Sequence, residues 1–422
     1  MNRLEHRPAA ALTDREVAYG VPLGYNVGPP LDRASTAMTP RQALEGVLTE
    51  ALRRQPCAVS FSGGRDSSAL LAIATIVARR EGLPDPVPVT LRFPESVEAD
   101  EDEWQALVLD RLHIDEWIRI DVRGDDFDAV GPVAQRALRR HGLLWPFNTH
   151  FHLPVVEAVR GGSLVTGFGG DEVSLSSESA RAEQVLARLR RPGPADVLTV
   201  GLALSPRPLR AAVHRHRFEA EAGGLPWLTD TGLRAIRSES ATASADIPLG
   251  WDRVLRRAIW RSRYFSVCKE NFDAIGAASE VHVHHPFVAA PVLSALGTAG
   301  QFGGVGSRTK LMELLCGNDL PDRVVRRRTK GTFSSAVWTD TSRAFALRWS
   351  GEGVNRELVD VDALRKHWMS ERVNLLSTTL LQAAWLHDNP NRTASAPGPT
   401  ADAPSSPKSR YVEESGHGFI NA

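Results

Sequence analysis

The stretch SFSGGRDSS, Ser60 to Ser68, decides the fold. Ahead of it, Cys57 to Phe61 is a short apolar run that reads as a buried strand. Behind it, Ser67 to Arg80 (SSALLAIATIVARR) is apolar on most faces and reads as a buried helix, ended by Glu81, Gly82 and Pro84. Gly63 and Gly64 let the backbone approach an anion closely, Ser62 and Ser67 offer hydroxyl donors, and the helix N-terminus adds amide N–H groups with a positive dipole end. A phosphate is expected there. Asp66 alone would repel it, which makes sense if its carboxylate holds Mg²⁺ bridging the phosphate oxygens. A plain strand-to-helix turn with a Ser or Asp cap is the competing reading. The complete string between strand and helix favours phosphate binding over it.

Outward from this loop, strands and helices alternate. Ala43, Leu44, Val47, Leu48, Ala51 and Leu52 recur at helical spacing upstream. Downstream, Val87 to Phe93, Trp117 to Val122 and Ser163 to Thr166 read as strands. Glu101 to Leu112, Asp126 to His141 and Leu153 to Arg160 read as helices. The pattern predicts an α/β fold with a doubly wound parallel sheet, its ligand site at the C-terminal strand ends, and the loops after Phe61, Phe93 and Thr166 on one edge. Beyond about residue 180 strand signals fade and Ala180 to Arg190, Gly250 to Tyr264, Arg308 to Cys316 and Leu375 to His387 read as helices. The expected organisation is an irregular arm (1–41), a nucleotide-binding domain (42–180), a mainly α-helical domain (181–388) and a Pro/Ala/Ser/Thr-rich tail (389–422) too polar to offset its ordering entropy.

Composition limits the function classes. The chain has 422 residues, with 50 Lys plus Arg against 50 Asp plus Glu, a balance that argues against a dedicated nucleic-acid binder. No apolar run reaches the roughly 18 residues of a membrane span, and MNRLEHRPAA lacks the core of a secretory signal. Cys57, Cys268 and Cys316 stand far apart without CxxC spacing, which fits reduced thiols and a cytoplasmic protein. Lysine occurs only at 269, 310, 330, 366 and 408.

SGGRDS resembles the SGGxDS pyrophosphate loop of the ATP pyrophosphatases (adenine nucleotide alpha hydrolase-like), specifically the synthetase domain of the asparagine synthetase superfamily. LVTGFGGDEV, 164–173, is similar to that family's LTGxGxDE segment, and SRTKLMELLCGNDLP, 307–321, followed by RRRTKGTF, 326–333, resembles its basic segment. The likeness implies that Asp171 joins Asp66 in coordinating Mg²⁺ and that Thr166, Gly167, Phe61 and Leu91 line the ATP pocket. It further implies that Lys330 is the catalytic lysine, donating to the phosphate and the developing oxyanion. The acidic run Glu98 to Glu103 resembles the family's Asp-Glu element. VHVHHPF, 281–287, aligns with the family's ExRxPFLD segment, but His282 and His284 stand where the family has Glu and Arg, and Ala289 stands in place of its Asp. A packed or substrate-facing role is expected for these histidines rather than a metal site.

The resemblance implies attack of a substrate carboxylate on the α-phosphorus of ATP, giving an acyl-adenylate and pyrophosphate, then displacement of AMP by an amine. With Asn2 at the start and 61 residues before Ser62, no glutaminase is expected in this chain, so the amine comes from the substrate, free ammonia or a partner. RRRTKGTF looks most like the lasso peptide macrolactam cyclases. That likeness implies a precursor peptide, with a leader-binding protein and a leader peptidase as partners. Small-molecule amide or β-lactam-type synthesis and a non-catalytic ATP-binding subunit are the alternatives. tRNA thiolation, which uses the same phosphate loop, generally needs a sulfur-carrying cysteine, and the scattered cysteines and zero net charge disfavour it.

Overall fold

The computed structural model describes residues 10–26, 30–31, 38–95, 101–173, 180–187, 193–221, 224–327, 329 and 334–390. A five-stranded, all-parallel sheet organises it. In chain order the first half runs α1 (Asp14–Tyr19), α2 (Pro40–Leu52), β1 (Cys57–Ser60), α3 (Arg65–Glu81), β2 (Val87–Arg92), α4 (Asp102–Leu112), β3 (Ile118–Asp121), α5 (Pro132–His141), α6 (His152–Ala158) and β4 (Ser163–Val165). Among the described residues the second half is helical apart from one strand. It comprises α7 (Ala180–Leu186), α8 (Pro194–Leu204), α9 (Arg207–Glu221), α10 (Asp230–Ala245), α11 (Trp251–Val254), α12 (Arg263–Ala277), β5 (His282–His284), α13 (Ala290–Gly300), α14 (Arg308–Cys316) and shorter helices ending with Thr378–Asp388.

The strand order is β3-β2-β1-β4-β5, so the chain reverses direction across the sheet between β1 and β4. That is the expected doubly wound α/β fold, and the switch point is where such sheets open a ligand crevice. Period-two alternation explains the layering. Cys57 and Val59 of β1 pack with α2, α3, α13 and α14, whereas Ala58 and Leu164 point to the opposite core with Ala137, Val155, Val156 and Ile275. Because each interior strand is covered on both faces, it reads as a continuous apolar run. The helix α3 is likewise buried at Ala69 to Ala74, which is why it showed no polar face.

Four local features differ from the sequence reading. Helix α5 starts at Pro132 rather than Asp126, because Gly131-Pro132 sets its first turn and the Asp128 carboxylate is spent on the Val130 N–H and the Ser342 and Thr339 hydroxyls. The stretch from Gly250 to Tyr264 is not one helix. It changes to a π-helical turn over Leu255–Trp260 and restarts at Arg263. A helix, α1, stands within the stretch read as irregular, closed by a capping box between Thr13 and Glu16. The strand β5 escaped notice because three residues of HVH carry no periodicity. It pairs with β4 through Ser163 and His282, Leu164 and Val283, and Val165 and His284. Among the described residues no helix is long and apolar enough to cross a membrane.

Candidate functional site

The parallel ladder puts the ends of β1, β2 and β4 on one edge, as expected. A cavity of about 350 Å³ opens there, with Phe61, Ser62, Gly64, Asp66, Ser67, Leu91, Thr166 and Gly167 in its lining. These residues of the sequence-derived site are therefore brought together. Gly63 shapes the loop instead, turning the chain with φ +79°, and a Cβ on it would stand 2.9 Å from Gln105 Cγ and 3.2 Å from Glu101 Oε2. Lys330 lies outside the described residues, as do Arg328 and Gly331 to Phe333.

Within the loop, Gly64 is the N-cap of the 17-residue α3 and offers no side-chain acceptor to the first turn. The leading N–H groups are thus left for an external anion. Ser67 donates to the Gly64 carbonyl (3.1 Å), and the two hydroxyls of Ser62 and Ser67 are 3.2 Å apart. From outside, Gln105 Nε2 donates to the Ser62 carbonyl and Arg327 Nη1 to that of Gly63, each at 3.2 Å. Arg327 is further ion-paired with Glu101, stacked 4.6 Å over the Trp104 ring, and donates through Nε to Thr329 Oγ1 at 3.1 Å. One guanidinium therefore links the phosphate loop, the start of α4 and the segment that leads to Lys330. Burial raises the Glu101 carboxyl above its ordinary value, against the pull of Arg327.

The two aspartates converge. Arg308, the first residue of α14, is ion-paired through one nitrogen to Asp66 and through another to Asp171. Asp171 is brought there by the tight turn of 167–170, where a Cβ on Gly170 would lie 2.5 Å from Asp66 Cγ. A single cation thus touches both carboxylates, the guanidinium standing where a metal ion would be held. This donor set suits Mg²⁺, which takes one or two protein carboxylates together with phosphate oxygens. Among the described residues there is no cluster of three or more His, Cys, Asp or Glu that could hold a metal by itself. The 282–285 histidines are accordingly not such a site. His284 is partly covered, and His285 Nδ1 lies 2.6 Å from Thr166 Oγ1, fixing the hydroxyl that lines the cavity.

Away from the loop the lining is mainly aromatic, with Pro146, Phe147, Asn148, Phe151, His152, Phe168 and Phe272, and it carries the Glu172 carboxylate, hydrogen-bonded to Tyr264. Burial and the Glu172 carboxylate push the Tyr264 phenol well up. Sequence reasoning did not single out this wall, nor Arg308, Arg327 or Gln105. Arg308 was contained in the SRTK stretch and Arg327 in the RRR run, but the pairing of each with an acid some 230 residues away leaves no local signal.

The family model for asparagine synthase matches residues 41–387. The chain belongs to the asparagine synthase family. Its members are ATP-dependent ligases that form amide bonds, and the match spans the sheet, the acid pair and α14. No curated protein matches the chain. As an asparagine synthase family protein, it carries the matched region through the 62–67 loop and the Asp66 and Asp171 pair.

Proposed function

We propose that the protein activates a substrate carboxylate by adenylation and closes an amide bond with an amine, most simply as macrolactam formation on a lasso-type precursor peptide. The carboxylate oxygen attacks the α-phosphorus, the bond to the bridging oxygen breaks and pyrophosphate leaves. The amine then adds to the acyl carbonyl, loses a proton, and expels AMP. The convergence of Asp66 and Asp171 on one cation beside an uncapped helix N-terminus carries this reading, since the chemistry needs a divalent ion shared by two carboxylates and phosphate.

Each residue has a task in this scheme. The α3 N–H groups and Ser62 and Ser67 orient the β- and γ-phosphates, Phe61, Leu91, Thr166 and Gly167 enclose the nucleoside, and Asp66 and Asp171 would hold Mg²⁺, which would supply positive charge for the pyrophosphate. Lys330, by the family resemblance, donates to the α-phosphate and the acyl oxyanion. Arg327 positions the segment bearing it through Thr329. The peptide reading is supported by the likeness of RRRTKGTF to lasso cyclases, whose partners would be a leader-binding protein and a leader peptidase.

Exchange of labelled pyrophosphate into ATP, run with aspartyl and glutamyl peptides, tests adenylation directly. Wild-type protein should support exchange, and Asp66→Asn should lose at least a hundredfold of it while remaining folded. Lys330→Ala should bind ATP and fail to form amide. Exchange undiminished in Asp66→Asn would overturn the assignment and favour a non-catalytic ATP-binding role.

A further inference from the structure

The positive charges that line the cavity, among the described residues, are Arg65, Arg308 and Arg327. All three are committed near the phosphate loop. Arg308 spans Asp66 and Asp171, Arg327 is paired with Glu101, and Arg65 Nη1 lies 3.4 Å from Thr309 Oγ1 beside Arg308. Among the described residues the aromatic wall has no cation of its own. A free α-amino acid entering there would leave its α-carboxylate desolvated with no cation of the described wall to pair with, a costly placement for a buried ion.

What that wall does offer is one unspent hydrogen-bonding ring. His152 opens α6, lines the cavity, and packs edge-on against Phe272 at 4.6 Å between centroids. Its Nδ1 is buried and has no hydrogen-bond partner among the described residues. The contrast with its neighbours is informative. His150 uses both ring nitrogens, facing the Phe147 and Phe127 carbonyls at 3.1 and 3.0 Å; His285 spends Nδ1 on Thr166 and also keeps a buried nitrogen, Nε2, without a partner, but unlike His152 it is not part of the cavity lining. A polar ring held against an aromatic one with a buried nitrogen left over costs stability unless a ligand completes it. Asn148, 8% exposed, adds an amide to the same lining.

We propose that His152 is a positioning and specificity residue: as a hydrogen-bonding ring beside Phe272, it engages an uncharged amide of a substrate whose reactive carboxylate is carried on a blocked, peptide-like chain. The cavity thereby selects against free amino acids. This rests on the reading of the cavity as the acyl-substrate site and deepens it. The ring acts by orienting the chain so that its carboxylate faces the phosphate loop, with no bond made or broken at His152.

Titration calorimetry on the full chain, with Mg²⁺ and α,β-methylene-ATP to hold the nucleotide side, tests the proposal with two probes, N-acetyl-aspartyl-phenylalanine amide and free L-aspartate. The capped dipeptide should bind at least tenfold more tightly than aspartate. His152→Phe, which keeps the packing against Phe272, should weaken the capped probe at least tenfold, and His152→Gln, a neutral donor and acceptor, should restore most of that loss. Aspartate binding as tightly as the dipeptide, binding in His152→Phe equal to wild type, Gln no better than Phe, or no binding of the dipeptide would each overturn it. The two-probe comparison on wild-type protein needs no variant. Dipeptide binding without pyrophosphate exchange would instead sink the adenylation reading and leave this inference standing.

Discussion

The guanidinium of Arg327 is paired with the carboxylate of Glu101 inside the protein, their side chains 3% and 5% exposed. Such a pair gains little over apolar packing, but half of it is expensive to keep. Arg327→Ala would strand a buried carboxylate against Gly63 and release the loop carbonyl that Arg327 holds. A loss of about 3–5 kcal/mol is expected, read by urea denaturation. Adding Glu101→Gln should recover part of it, since a neutral amide needs no counter-charge. A single-variant loss below about 1 kcal/mol would show that water reaches the pair, as at ordinary surface pairs.

Arg308 occupies the space between two carboxylates that the proposed chemistry gives to Mg²⁺. Removing its side chain, as in Arg308→Ala, takes away the guanidinium that bridges Asp66 and Asp171. Their repulsion should lower stability in a metal-free buffer, and millimolar Mg²⁺ should restore it. Thermal unfolding with and without MgCl₂ checks this. The rise in midpoint on adding Mg²⁺ should be larger in Arg308→Ala than in wild type, and equal rises would mean that the metal binds elsewhere.

Gly170 makes a narrower case. A methyl group there would stand 2.5 Å from Asp66 Cγ and 2.8 Å from Oδ1, closer than carbon atoms pack. Gly170→Ala should push the Asp66 carboxylate off the axis it shares with Asp171 while leaving the sheet intact. Pyrophosphate exchange should fall at least tenfold with circular dichroism unchanged. Retained exchange would show that the loop yields without moving Asp66.

The parts of this fold that were legible share a physical cause. β1, α3 and β4 are buried on nearly all sides, so their sequences are continuous apolar runs bounded by glycine, and the loop between them spells its own chemistry at consecutive positions. Asp171 was found for the same reason, being held in a short local string. Arg308, Arg327 and Glu101 were not assigned roles, because their meaning lies in pairs closed across long stretches of chain, 242 residues for Arg308 with Asp66 and 226 for Arg327 with Glu101, which no window of sequence contains. His285 was read as packed or substrate-facing. Its actual partner, Thr166, is 119 positions away and is reached only because β5 lies beside β4. The aromatic wall is assembled from the 146–151 stretch ahead of α6, the first residue of α6, α12 and the 166–171 turn, and each contributes residues that read separately as ordinary core.

Those buried histidines make acid the protein's weak side. Desolvation lowers His150 and His152 from 6.5 to about 4 and His285 to about 3. For His150 it does so against two carbonyls that favour the charged ring. The unfolded chain takes up protons as pH falls through 6.5, while the folded protein keeps these rings neutral until about pH 4. Stability that is full above pH 6.5 is therefore lost on acidification, by about 2 kcal/mol for each histidine between pH 7 and 5. His282, His284 and His367 are lowered as well and push the same way. Urea midpoints measured from pH 7.5 to 5 should fall steadily below 6.5. His152→Gln removes one of the three strongly shifted rings and should make that decline shallower by up to about a third, according to the same proton bookkeeping. A midpoint that holds level down to pH 5 would mean that these rings are charged in the folded protein, and with that the neutral character of the cavity wall around His152 would fail.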